Sequence, residues 1–175
     1  GFISRTDALR IIKDFNFYFL PKSFSFNTEM NTSYGEMKLR DKSLGLIKIR
    51  PNYNKQWNWD RTYDLKFDLA KSLSLQYNAT ANTYINQAPG SNDPGSEWYD
   101  ADARDSIDVK SQIFSFGNMD RFLQNFTANY TIPIDKLPML DWVTATATYQ
   151  SSYSWTASPL SIQDRLGNQI ENSRT

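Results

Sequence analysis

Three carboxylates spaced four apart, Asp60, Asp64 and Asp68, are the first candidates for chemistry in this chain of 175 residues. Paired carboxylates hydrolyse glycosidic bonds when they stand about 5–9.5 Å apart. The residues around these three alternate as a strand does, and residues four apart in a strand are separated by about 13 Å at ~3.3 Å per residue. That is too far for a catalytic pair, so they read as charges on a wet face, balanced by Lys66 and by a neighbouring strand. Asp93, Asp100, Asp102, Asp105 and Asp108 offer oxygen ligands of the kind Ca²⁺ takes. Their spacing lacks EF-hand order, and a solvated acidic loop accounts for them. The sequence has no His and no Cys, which removes His-based triads, the commonest general base and thiolate metal sites. Glycosylation-type triplets begin at Asn31, Asn78, Asn125 and Asn129, all inside alternating segments, and are chance matches. Neither a catalytic set nor a cofactor or metal site is expected, and the chain is not read as an enzyme.

The elements that carry these residues are strands. From Gln56 to Asn86 apolar and polar residues alternate for two strand lengths about a turn at Ala70-Lys71-Ser72. Successive strand side chains point to opposite faces, so this hairpin has one aromatic face and one polar face. Similar alternation runs from Ser23 to Tyr34, from Gln124 to Ile132 and from Val143 to Trp155. Ile11 to Leu20 is apolar and aromatic and stops at Pro21-Lys22, a turn signal. Met37 to Asn54 loses the period and reads as a loop or strand extension. Gln87 to about Arg121, with Pro89-Gly90 and Asp93-Pro94-Gly95, is a long interruption, and the chain after Trp155 reads as polar loop. About six strands in three hairpins result, at roughly 11–34, 56–86 and 123–155.

Lys plus Arg and Asp plus Glu number 19 each, so bulk charge does not argue for nucleic acid. Hydrophobic residues make up only 39 %, yet aromatics reach 15 %, which suits strands that wet one residue in two. A membrane-spanning barrel has that signature. No segment approaches the ~18 apolar residues of a spanning helix. Connections read as alternately short (Pro21-Lys22, Ala70 to Ser72, Pro133 to Pro138) and long, which matches periplasmic turns and extracellular loops. The chain opens on Gly1 without Met or signal peptide and is expected to be a mature piece or part of something longer. The expected fold is therefore all-β: a segment of a membrane-spanning, antiparallel up-and-down barrel forming one partial wall over residues 1–175. Lipid cannot satisfy an open sheet edge and the smallest single-chain barrels use about eight strands, so about six strands cannot be the whole object.

On this reading the lipid-facing residues are Phe24, Phe26, Trp57, Trp59, Tyr63, Leu65, Phe67, Leu69, Leu73, Leu75, Tyr77, Phe126, Tyr130, Val143, Tyr149, Tyr153 and Trp155. The lumen-facing set is Asn27, Glu29, Asn58, Asp60, Asp64, Lys66, Asp68, Gln76, Asn78, Asn82, Asn125, Asn129, Thr144, Thr146 and Gln150. Trp57, Trp59, Tyr153 and Trp155 fall toward strand ends, where interfacial girdles place such residues. Arg61 alone breaks the apolar parity, and a cation at the bilayer midplane costs about 2–4 kcal/mol. It is expected near the headgroups or under a covering partner, unless the pairing is bulged there by one residue.

Three long strings resemble the SprA/Sov family, the giant outer-membrane translocon of type IX secretion in Bacteroidota. They are FNFYFLPKSFSFNTEMNTSYGEMKLR (Phe15 to Arg40), WNWDRTYDLKFDLAKSLSLQYNAT (Trp57 to Thr80) and IPIDKLPMLDWVTATATYQSSYSWTASPL (Ile132 to Leu160). LGNQIENS (Leu166 to Ser173) is similar to a family segment as well, whereas Gln87 to Phe122 carries least of the likeness. The resemblance implies a very large single-chain barrel, the largest known having about 36 strands, of which this chain is wall. It further implies the bacterial outer membrane, export of folded cargo with a C-terminal targeting domain, a link to gliding motility, a PorV-type shuttle and a periplasmic plug protein. The expected partners are these, the lipid bilayer and the remainder of the same barrel, with no nucleic acid. Two other functions fit the alternation: a porin or nutrient importer, and a soluble secreted β-domain that binds glycans through its aromatics.

Overall fold

The computed structural model describes residues 18–40, 48–134, 140, 142–159, 165 and 167–175. Among the described residues there are six strands: β1 (Ser23–Met37), β2 (Asn52–Ala70), β3 (Leu73–Tyr84), β4 (Asn118–Ile132), β5 (Ala145–Thr156) and β6 (Gln169–Arg174). They form one sheet in chain order, an up-and-down arrangement in which β4 pairs antiparallel with β5 and β5 with β6. Two short helices, α1 (Ala101–Ser106) and α2 (Val109–Phe114), lie in the β3–β4 connection.

The number of strands agrees with the sequence reading, but its membership differs. Of the expected Ile11–Leu20 strand, residues 11–17 lie outside the described residues, and Tyr18 to Leu20 are not strand. The chain nevertheless pairs with β2 ahead of β1, because Tyr18 N–H donates to the Leu69 carbonyl at 2.9 Å and Lys22 N–H to the Lys66 carbonyl at 2.9 Å. The sixth strand is β6, in a stretch read as polar loop. Its residues Gln169, Glu171 and Ser173 alternate with Ile170, Asn172 and Arg174, so polarity does not change along it and periodicity has nothing to report. Backbone pairing with β5 alone makes it a strand. The expected interruption and the expected β4 start also shift, since β4 begins at Asn118 rather than Gln124.

Loop lengths separate less cleanly than the sequence suggested. Lys71-Ser72 is a tight turn between β2 and β3. The connection expected at Pro133 to Pro138, of which 135–139 lie outside the described residues, runs on to Ala145. It is therefore comparable to the connections over 38–51 and 157–168, because the strand after it starts late.

Contacts divide the chain into two compact units. The first comprises Gly1–Asn27, Thr62–Thr80 and Arg121–Thr175. Among its described residues it is sheet and connections, with ring pairs Phe26–Tyr63, Phe122–Tyr153 and Phe126–Tyr149 standing on one face. The second comprises Thr28–Arg61 and Ala81–Asp120 and holds both helices. Small residues dominate its core: Ala81, Thr83, Ala88 and Ser91 are buried, together with Ile85 and Arg61. Alternate positions of β3 from Ala81 are small because the returning segment lies close against them. A Cβ on Gly117, for example, would stand 3.1 Å from the Thr83 hydroxyl oxygen.

The loop at 90–99 in this second unit depends on one glycine. Gly90 has φ of 82°, and an added Cβ would stand 2.2 Å from the Trp98 carbonyl oxygen. That same carbonyl accepts from Ser91 N–H at 2.9 Å, beside the bridge from Gly90 to Tyr99. Gly90→Ala is expected to lose about 2–3 kcal/mol locally, since it combines a left-handed backbone with a backbone clash. Amide exchange should show Ser91 deprotected while β4 and β5 keep wild-type protection.

Candidate functional site

The two faces of the sheet are the candidate functional surfaces, and strand parity places each side chain. Along the polar face, amides and hydroxyls are joined across strands. Asn78 of β3 donates to Asp64 of β2, and Asn82 donates to Asp60 at 2.7 Å. Thr148 of β5 donates to Asn129 of β4 at 2.9 Å, and within β1 Asn31 donates to Glu29 at 2.9 Å. Cross-strand neighbours in register include Asn125 with Ser152, Thr127 with Gln150 and Thr131 with Thr146. The three carboxylates first considered for catalysis thus each have a different partner. Asp68 pairs with Lys22 at 2.9 Å rather than with Lys66. The sequence reading could not supply Lys22, because that pairing requires the chain ahead of β1 to lie against the end of β2.

The aromatic face of the first unit carries Phe26 against Tyr63, with ring centroids 5.1 Å apart, and Phe126 against Tyr149 at 6.3 Å. Tyr77 stands on this face too and donates its hydroxyl to Gln124 at 3.2 Å. Phe24 is 65 % exposed and Phe26 46 %. Tyr130 opposes Ala147 in register, and Trp155 opposes Phe122 on one side and Ile170 on the other. Phe122 and Ile170 extend the aromatic face and escaped the sequence reading, because it began β4 too late and did not include β6. Val143 and Thr144, assigned to opposite faces by alternation, precede the first residue of β5.

In the second unit the corresponding parity of β2 meets protein. Arg61 is 4 % exposed. Its Nη2 donates to the Phe116 carbonyl at 3.0 Å, and its guanidinium carbon lies 4.8 Å from the Trp59 ring centroid and 5.0 Å from that of Phe116. Trp59 in turn donates its indole N–H to the Thr28 hydroxyl at 2.7 Å. Trp57 lines a cavity with Arg104, Ile107 and Val109. The cover over Arg61 is the chain's own insertion, and the anomaly in the sequence has a local cause: a guanidinium held between two rings and one carbonyl.

The insertion is shaped to deliver that carbonyl. Asp100 caps α1 by accepting from Ala103 N–H, and Asp108 caps α2 by accepting from Ser111 N–H. At the far end of α2, Phe116 N–H bonds the Ile113 carbonyl and Gly117 N–H bonds the Gln112 carbonyl at 2.7 Å. This is the paired closure in which one residue past the cap turns left-handed. Here that residue is Phe116, with φ of 64°, where glycine is the usual occupant. A phenylalanine is strained there, and its ring and carbonyl are what Arg61 and Trp59 hold.

No protein-family profile and no curated protein matches this chain.

Three of the five aspartates of the acidic loop are engaged by local backbone amides. Asp93 accepts from Gly95 N–H at 2.9 Å, and Asp100 and Asp108 serve the two helices. Among the described residues no group of three potential ligands gathers to hold a metal. The sequence reading took this stretch as an interruption and missed α1 and α2, whose N-caps are aspartates, a favoured residue there. Chemically, the polar face offers water-competent amides, hydroxyls and paired charges. The aromatic face offers mainly apolar area, with Gln124 and tyrosine hydroxyls among its polar groups.

Proposed function

We propose that the chain is a wall segment of an outer-membrane β-barrel through which folded protein cargo is exported, as in type IX secretion. The observation that carries this reading is the division of the first unit into two unlike faces. One holds Phe24, Phe26 and Tyr149, all exposed. The other is a ladder of Asn, Thr, Ser and paired Asp side chains. A soluble sheet buries its apolar face on a second layer. A barrel strand instead turns that face to hydrocarbon and its polar face to a wet lumen. Hydrocarbon contact is then carried by Tyr63, Leu65, Phe67, Leu69, Leu73, Leu75, Phe126 and Tyr130. Trp57 and Trp59 belong with the protein-covered second unit.

Nearly neutral, hydrogen-bonded lumen walls suit passage of bulky cargo, because isolated charges in a pore bind and delay what crosses it. The resemblance of Phe15 to Arg40, Trp57 to Thr80 and Ile132 to Leu160 to the SprA/Sov translocons makes cargo export the first reading and a small-solute porin the second. Size separates the two. An antibody raised to this chain should detect, in outer membranes, a single polypeptide far larger than any porin. A porin-sized product would favour the solute channel.

A further inference from the structure

Beyond that role, the second unit holds a cleft whose chemistry is one-sided. A cavity of about 410 Å³ is lined by Lys55, Trp57, Gln87, Asn92 and Arg104, among others, and by no carboxylate. Elsewhere in the chain Lys22, Lys38 and Lys48 pair with Asp68, Glu36 and Glu97. The two cations here have only neutral acceptors. Lys55 Nζ donates to the Ala88 carbonyl at 2.6 Å, and Arg104 Nη2 to the Asn92 side-chain oxygen at 2.6 Å. Each cation also faces an aromatic ring, Lys55 over Tyr34 at 5.9 Å and Arg104 over Tyr99 at 5.0 Å.

Two further donors in the same lining, Trp57 Nε1 and Arg104 Nε, are enclosed and have no acceptor. The aspartates on either side of α1, Asp100 and Asp108, cap the two helices and are not in the cavity lining. An adjoining cleft shares Lys55 and Gln87, adds Arg50, and is likewise without a carboxylate in its lining. Partly buried cations lacking counter-charge are costly, and hydrogen bonds to an ionised acceptor are about twice as strong as neutral ones. Both arguments favour a ligand that brings negative oxygen atoms.

We propose that the cleft between Lys55, Trp57 and Arg104 binds a phosphate-class oxyanion, carried either by a soluble phosphate compound or by an anionic lipid headgroup. Lys55 supplies a compact charge and Arg104 the planar fork suited to phosphate oxygens. The proposal does not require the sheet to span a bilayer, so its failure and that of the wall assignment are separable.

The test is a ³¹P NMR titration of inorganic phosphate against the whole chain, in chloride buffer throughout. Saturable binding is expected, weakened roughly tenfold or more in Lys55→Gln and in Arg104→Gln, with Lys48→Gln unchanged because its ammonium serves Glu97. Amide exchange over β2 and β3 confirms that each variant keeps its fold. Absence of saturable binding, or variants that bind as tightly as wild type, would overturn the proposal. Sedimentation with phosphatidylglycerol vesicles then identifies the source. If Arg104→Gln loses vesicle binding together with phosphate binding, the ligand is a headgroup. If it loses phosphate binding alone, the ligand is soluble.

Discussion

Leu75→Arg is expected to cost about 2–4 kcal/mol of insertion into a bilayer, whereas Asn78→Arg should cost less than about 1 kcal/mol. Both positions lie on β3 and both changes add the same side chain, so the contrast isolates the face. Leu75 has the parity of Tyr77, on the aromatic side, where on the wall assignment a guanidinium would meet hydrocarbon. Asn78 points to the polar side and already donates to Asp64, so an arginine there gains an opposite charge. Ala79, with the same parity as Leu75, is a poor probe because it is buried within the protein and overpacking alone would harm it. The measurement is the folded fraction in lipid vesicles across a urea series. Equal losses for the two variants would remove the face assignment.

Arg61→Ala should release the insertion while leaving the sheet in place. The guanidinium contributes one charge-assisted hydrogen bond, worth about 1.5–3 kcal/mol, and two ring contacts of about 0.5–2 kcal/mol each. Allowing for non-additivity, a local loss of about 2–4 kcal/mol is expected. The strained Phe116 backbone then has less to hold it, so the break should appear first around α2. Hydrogen exchange should show Val109 to Gly117 deprotected while β4 and β5 stay as in wild type. Arg61→Lys should recover part of the loss, because it restores a donor and a charge but not a planar group between two rings. If protection over Val109 to Gly117 is unchanged in Arg61→Ala, the latch is not what holds the insertion.

What the sequence disclosed follows from which physical signal each element emits. β2, β3 and the body of β5 alternate in polarity, and alternation is visible without knowing any partner. β6 consists of polar residues on both faces apart from Ile170, so only its hydrogen bonds to β5 define it. The start of β4 was hidden for a related reason. Asn118-Met119-Asp120-Arg121 has no clean period, yet it follows directly on the closure at Phe116 and Gly117. The polar pairs Asp64–Asn78 and Asp60–Asn82 were legible as a face but not as partners, since register across a hairpin is fixed by the turn. The Lys71-Ser72 turn sets it here.

Arg61 marks the boundary of what pattern reasoning supplies. Its violation of parity was plain in the sequence, and a covering partner was among the expected explanations. That the cover would be Phe116, far along the chain, depends on a tertiary contact no local rule contains. α1 and α2 were not read in the sequence, which took that stretch as an interruption, and nothing local says which face those helices approach. The Lys55–Arg104 cleft was missed outright, because it forms only when β2 and α1 are brought together.

The most direct test of the wall assignment uses the absence of cysteine from the sequence. Single cysteines introduced as Leu65→Cys, Phe67→Cys, Asp64→Cys and Lys66→Cys carry an environment-sensitive fluorophore in the intact, membrane-embedded protein, with any cysteine outside this chain replaced. Labels at 65 and 67 should be quenched by a lipid-borne quencher, and labels at 64 and 66 by a water-soluble one, giving a period of two along β2. Shielding of 65 and 67 from both quenchers, as a packed protein core would produce, would contradict the account.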